Sequence, residues 1–301
     1  MLSMLSLIQA AAIGATIHVP GDQSTIAQAV QAAAPGDTIM IAAGTYQEGN
    51  IFPSVSPLSI IGEVDADGLP AVTLDGENTT GILIGIGVVG SEDVTLENLR
   101  FTGSQGNALW IYHMSPLVQN CVFSDITTNN ISGTAIWASD SRARFESCQF
   151  FNIDVGLSGS IVNLKGVTGL NGNDQDVPSF ASCIFENNSC YSVVSTQFWD
   201  VLLDTCTLRD NTANSVLASH QGIITLANNL LCNNTGTPIS GDWVDAGGNT
   251  ITDQCPISCS GDYDLSGEVD VTDLLLVIAE FGNPYSVTDV LIVIANWGPC
   301  P

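Results

Sequence analysis

The 301-residue chain sets 31 acidic residues against five lysines and arginines, a formal net charge of −26. Such a surface repels nucleic acid, anionic membranes and polyanionic sugars unless a cation intervenes. With 45% hydrophobic residues and 29 glycines the chain is too apolar for disorder, and its length suits one long, turn-rich domain plus a small one.

Residues 1–15 run through Leu2, Leu5, Leu7 and Ile8 into small residues ending at Ala15, without Lys or Arg at the start. They read as a signal peptide, with an ordinary buried strand as the alternative, and the mature protein is expected to be secreted or held at the cell surface. No other stretch is long and apolar enough to span a bilayer. Residues 16–20 read as a first strand. Residues 24–33 have a helical period with Ser24 as N-cap, and Pro35, Gly36 and Asp37 turn the chain into strands at 38–42 and 44–46. The helix is expected to cover the open first coil of a stacked structure, whose sheet edges otherwise face water.

Early strands at 58–62 and 71–76 lead into a repeated phrase, clearest at 118–125 as Val-Gln-Asn-Cys-Val-Phe-Ser-Asp. Its copies centre on Leu99, Cys121, Cys148, Cys183, Cys206 and Asn229, spaced by 22, 27, 35, 23 and 23 residues, which is a solenoid period. Two residues after each centre stand Phe101, Phe123, Phe150, Phe185, Leu208 and Leu231; three before it stand Leu96, Val118, Phe145, Phe180, Leu203 and Leu226. Alternating apolar positions mean short strands with one buried face. The residues just before the centres, Asn98, Asn120, Ser147, Ser182, Thr205 and Asn228, are small and polar, as left-handed backbone at a bend requires. Four after the centres, Gly103, Asp125, Asn152, Asn187, Asp210 and Asn233 form a second turn ladder. A second strand follows each of these turns, at 108–111, 135–138, 161–164, 192–195 and 216–219.

Two or three strands per turn of about 23 residues predict an all-β fold, a right-handed parallel β-helix (solenoid) with an N-terminal capping helix. Over residues 16–254 the chain resembles the pectate-lyase-like superfamily of secreted β-helices, and its opening helix is similar to that of pectin methylesterases. A loop at 166–176 interrupts the coils and explains the 35-residue spacing; Asp174 and Asp176 there read as a solvated loop rather than a cation site.

Residues 259–301 change character. Asp262, Asp264, Ser266, Gly267, Glu268, Asp270 and Asp273 occupy positions 1, 3, 5, 6, 7, 9 and 12 of a calcium loop, with glycine at the sharp turn. Side-chain oxygens and the Glu268 carbonyl suit Ca2+, so Asp262, Asp264, Ser266, Glu268, Asp270 and Asp273 are the expected ligands in a small α-helical calcium-binding module. Residues 287–298 echo 271–282 sixteen positions later, but no second loop precedes them. The stretch resembles a type I dockerin repeat, which implies a cohesin-like protein partner, although a cellulosomal dockerin has two loops.

Among nine cysteines, Cys121, Cys148, Cys183 and Cys206 share the inward column and are expected to form a buried thiol ladder. Cys232, Cys255, Cys259 and Cys300 lie in turn-rich sequence, and disulfides Cys232–Cys255 and Cys259–Cys300 are expected, leaving Cys190 over.

The outward positions of the second strands are expected to form two columns, Trp110, Trp137, Asn163, Val194, Ala218, Ser240 and Tyr112, Ser139, Lys165, Thr196, His220, Asp242. On superfamily enzymes this face holds the sugar, so Trp110, Tyr112 and Trp137 are the expected glycan-binding residues, with Lys165, His220 and Asp242 as catalytic candidates. The paired aspartates of polygalacturonases and the motifs of pectin methylesterases are not present in the sequence. Two readings stay open: a non-catalytic protein that recognises extracellular polysaccharide or serves assembly, and a polysaccharide lyase or glycoside hydrolase working on this face.

Overall fold

The computed structural model describes residues 14–87, 94–128, 134–166, 177–255, 260–263, 268–279, 281–282 and 285–299. Residues 1–13 of the expected signal peptide 1–15, the loop carrying Asp174 and Asp176, the loop residues Asp264 and Ser266, and Cys259 and Cys300 lie outside them. The chain divides into two compact units, Met1–Ile251 and Thr252–Pro301.

The first unit is a parallel β-helix. Ten strands, from Thr16–Val19 and Thr38–Ile41 through Leu58–Gly62 to Ile224–Ala227 and Trp243–Asp245, stack in chain order as one sheet. Their partners form a second sheet that bends within each coil, so that long strands such as Val72–Ile86 and Leu99–Tyr112 serve two faces of the solenoid. The expected core columns pair in register: Val118 with Phe145 and Phe180, and Phe123 with Phe150 and Phe185. All are fully buried, and Phe101, Phe123, Phe150 and Phe185 form a continuous stack with ring centroids 4.8, 4.9 and 4.4 Å apart. Each such pair adds about 0.5–1.5 kcal/mol to the burial of its rings.

Both turn ladders adopt the conformation their residues suit. Asn98, Asn120, Ser147, Ser182, Thr205 and Asn228 have φ between 47° and 58°, as do Asp125, Asn152, Asn187, Asp210 and Asn233 between 49° and 57°. Asn and Asp tolerate this region because their short polar side chains bond locally. Asn120 Nδ2 donates to Asn98 Oδ1 at 2.8 Å, so one ladder carries a hydrogen bond from coil to coil.

Helix α1, Ile26–Ala32, buries Ile26, Ala29 and Val30 in the same core as the first strands. Its N-cap is Thr25, whose side chain accepts from Gln28 N, and not the expected Ser24, whose hydroxyl donates to the Gln28 side chain. Glu48 adds a carboxylate that accepts from Ile26 N and Ala27 N, both at 3.0 Å, supplying the negative charge that the positive end of a helix dipole favours.

The second unit holds two helices, α2 (Val271–Ala279) and α3 (Val287–Ala295), and an antiparallel pair, Glu268–Val269 with Gly298–Pro299. Val269, Val277 and Val293 form its core, with Leu274 and Val290 packed against it. The sixteen-residue echo is structural: Leu274 and Val277 occupy the roles of Val290 and Val293. The opposite sides stay open at matching positions, with Val271, Leu275, Ile278 and Phe281 exposed like Val287, Leu291, Ile294 and Trp297. Packing one side of each against the other leaves two equal apolar strips.

Candidate functional site

The second strands place their outward side chains on one face of the solenoid. Trp110 pairs with Trp137, Trp137 with Asn163, Asn163 with Ser195, Ser195 with Ala218 and Ala218 with Ser240. The neighbouring column is Tyr112, Ser139, Lys165, Gln197 and His220. Two expected members are corrected here. Val194 and Thr196 are fully buried, and Ser195 and Gln197 take their places. Val193 and Val194 are adjacent and both buried, so alternation alone does not tell which of them points inward. Asp242 is corrected too: the last second-face strand ends at Ser240, and Asp242 lies at the corner beyond, where its carbonyl accepts from Ile224 N in the first sheet.

Aromatic rings cluster at one end of the face. Trp110 stacks on Trp137 with centroids 5.6 Å apart and planes 5° apart, and on Tyr112 at 5.6 Å and 15°. Tyr112 is 38% exposed, and the indoles are partly exposed. On the other side of Trp110 the next column position is Gly85, and a methyl group added there would lie 2.3 Å from the Phe52 ring. Phe52, 48% exposed, therefore occupies the space a side chain at 85 would take and lengthens the aromatic floor. The sequence reading missed Phe52 because it lies outside the repeated coils, next to Ile51, which bridges to Ile84 in an irregular early coil.

Lys165 and His220 are both exposed and stand two coils apart in one column, about 10 Å at the strand spacing. The fold thus lines them up without bringing them into contact, and Asp242 joins neither. A third basic group that the sequence reading passed over sits one residue beyond Tyr112. His113 packs edge-on against the Tyr112 ring, centroids 3.8 Å apart, and its Nδ1 lies 3.9 Å from Asp140 Oδ2. Ser139 Oγ donates to the same oxygen at 3.3 Å. His113 N bonds Ser139 O and Asp140 N bonds Lys165 O, and both residues are left-handed, with φ of 55° and 50°. They form a corner column with Phe198 and Gln221, also at positive φ. Adding one position to Tyr112 and Ser139 finds this pair in the sequence.

In the second unit Asp273 is fully buried and Asp262 is 5% exposed, whereas Glu268 is exposed. Asp273 Oδ1 accepts from Tyr263 N at 2.6 Å and Oδ2 from Asp270 N at 2.8 Å; Asp270 Oδ1 accepts from Thr272 N at 2.6 Å. Asp289, the echo of Asp273, does the same local work, accepting from Ser286 N at 2.8 Å in a capping box. The Ser286 hydroxyl, the Ser286 N–H and the Tyr263 hydroxyl hold the Asp289 carboxyl below the usual range. Burial and then the Asp289 bond push the Tyr263 phenol up to about 12. Among the described residues no cluster of three or more metal-binding side chains is formed, and no helix is long and apolar enough to cross a membrane. Cys232 and Cys255 are disulfide-bonded; Cys121, Cys148, Cys183, Cys190 and Cys206 are free and buried.

No curated protein matches the chain. Among solved structures it is similar to a PL6 alginate lyase in complex with a trisaccharide, at 12% identity and a TM-score of 0.48, covering 75% of this chain and 61% of that one. The chain thus spans less than two thirds of that lyase. It is similar also to the pectin methylesterase from Aspergillus niger, at 14% identity and a TM-score of 0.47, covering 85% of this chain and 94% of that one. A family model described as the right handed beta helix region matches residues 72–257, which holds most of the coils described above, and the chain belongs to that family.

Proposed function

We propose that this protein is exported and recognises an extracellular polysaccharide on its aromatic face. The observation that carries the reading is the contiguous stack of Tyr112, Trp110 and Trp137, lengthened by Phe52. Stacked rings offer apolar area with little rotamer entropy left to lose, and Asn163 after Trp137 supplies a polar neighbour for sugar hydroxyls. Disulfide bonding at Cys232 and Cys255 supports an oxidising compartment. The test is retention on a panel of immobilised polysaccharides, with and without calcium. Trp110→Ala with Trp137→Ala removes about 1 kcal/mol per ring, hence roughly 30-fold in affinity, at nearly unchanged thermal stability. Undiminished retention moves the site elsewhere.

For the tail we propose a calcium-stabilised docking module with a cohesin-like partner. The two matching apolar strips, Leu275 with Ile278 and Leu291 with Ile294, support a docking role, because strips of this kind on a small soluble unit mark interaction surfaces. Asp262 and Asp273 offer carboxylate oxygens, the ligand type that a hard cation takes; Asp264, Ser266, Asp270 and the Glu268 carbonyl would complete the ligand set.

A further inference from the structure

We propose that His113, positioned by Asp140, is a general base that hydrolyses acyl esters carried by a neutral glycan lying on the aromatic face; this rests on the glycan reading above.

The geometry begins with the aromatic floor. Tyr112 joins the floor to the imidazole, since it stacks on Trp110 and meets His113 edge-on at 3.8 Å. A ligand on Trp110 and Tyr112 therefore ends beside His113. The His113 side chain is 43% exposed, whereas that of Asp140 is 14% exposed. The carboxylate is thus an inner group and the imidazole an outer one. Nδ1 faces Asp140 Oδ2 at 3.9 Å, so a proton held on Nδ1 by that carboxylate would leave Nε2 as the acceptor. The separation must shorten by about 1 Å to form a full hydrogen bond, as catalytic pairs commonly do when substrate binds. Ser139 Oγ already bonds Oδ2 and fixes the carboxylate. The second oxygen, Oδ1, is buried without a partner among the described residues, so the carboxylate has little freedom to turn towards solvent.

The substrate class follows from what accompanies this base. Glycoside hydrolysis requires two carboxyl groups flanking the bond, and the two outward columns contain none. An acyl ester asks for less: one base to activate water, and donors for the oxygen that becomes negative. Tyr112, whose ring touches the imidazole, carries a hydroxyl that can serve as such a donor. Nε2 takes a proton from water as the water oxygen bonds to the acyl carbon. The bond from that carbon to the sugar oxygen then breaks, and the imidazolium returns the proton to the sugar oxygen. Ester and water give carboxylic acid and alcohol, with no other reactant. The net charge of −26 disfavours an anionic glycan and leaves a neutral acylated one.

The experiment measures acetate released from acetylated xylan and from p-nitrophenyl acetate by the full chain. Wild type is expected to release acetate. His113→Asn, which tolerates the same left-handed backbone, should lower kcat on the order of 100-fold or more while retention on the polysaccharide is unchanged. His113→Gly should regain rate when free imidazole is added, which a merely structural role does not produce. Asp140→Asn should lower kcat and change its pH profile, and Trp110→Ala should raise KM on xylan. No acetate from the wild-type protein, full activity in His113→Asn, or new reducing or unsaturated ends in place of acetate overturns the proposal. If retention survives in that case, the glycan reading stands without it; if retention on every polysaccharide is missing as well, both fall.

Discussion

Asn211 Oδ1 accepts both the backbone N–H of Asn188 at 3.1 Å and its side-chain Nδ2 at 2.9 Å, across one coil of the solenoid. Asn211 Nδ2 in turn donates to Phe185 O and to Asn234 Oδ1, so three asparagines hand the same bonds along the stack. Both Asn188 and Asn211 are 1% exposed.

A buried donor left without a partner costs more than the hydrogen bond contributes, about 1–3 kcal/mol each. Asn211→Ala removes the acceptor of Asn188 and the donor to Phe185 O at once. It should destabilise the β-helix by about 3 kcal/mol or more, read as a lower denaturant midpoint at unchanged slope. A midpoint equal to wild type would show that water replaces the ladder freely.

The coil period, the buried columns and the two left-handed ladders were legible because each repeats with a residue type that only one backbone role suits. The asparagine column was not. Its first three members are Ser104, Ile126 and Ile153, and the switch to Asn188, Asn211 and Asn234 occurs five positions after the centre, where apolar patterning expects no polar group. His113 and Asp140 were hidden for another reason: they are 27 residues apart, and only the pairing of Tyr112 with Ser139 makes them neighbours. Function was less legible than fold, since Trp110 and Trp137 serve equally well as cover for a sheet or as a platform for a ligand.

The thiol ladder gives a second test. Burial pushes Cys121 and Cys190 up to about 12 and holds Cys183 well above the ordinary thiol range; the bond to Cys183 and then burial do the same for Cys206. The Sγ atoms of Cys148, Cys183 and Cys206 donate to Val118 O, Phe145 O and Phe180 O at 3.3 to 3.4 Å. Thiolate is the reactive form, so at about pH 8 these thiols should resist an aromatic disulfide reagent until denaturant is added. Rapid labelling of any of them in the native protein would place that residue outside the core.

Asp37 makes a prediction about pH. Its carboxylate accepts from Ala34 N at 2.8 Å, a bond that removal of residues 1–15 leaves in place and that lowers its pKa below the ordinary 3.8. A depressed folded value means that the stabilisation is complete above the unfolded pKa and is lost as pH falls through the folded one. In Asp37→Asn the amide nitrogen cannot accept, so the variant should melt lower than wild type above about pH 5, with the gap closing below about pH 4. The gap is read from melting temperatures across that range, and a constant gap at every pH would assign the loss to packing instead.

The echo between the helices of the tail separates two roles of one carboxylate. Asp273 and Asp289 both accept the N–H three residues earlier, from Asp270 and Ser286, so each caps its own helix. Only Asp273 also closes the loop, through Tyr263 N, and only Asp273 follows a calcium-loop sequence. Loss of a cap costs about 1 kcal/mol in either helix. Asp273→Asn and Asp289→Asn should therefore loosen their helices by similar amounts without calcium, read as protease sensitivity after Cys255. With calcium present they should diverge, because ligand carboxylates repel each other until a cation binds and metal binding is then coupled to folding. Calorimetry should show calcium uptake by wild type and by Asp289→Asn, and a large loss of affinity in Asp273→Asn and in Asp262→Ala. Calcium should restore protease resistance in Asp289→Asn alone. Equal behaviour of the two variants with calcium, or no heat of binding to the wild-type protein, would leave Asp273 as a cap and the loop as an acidic turn.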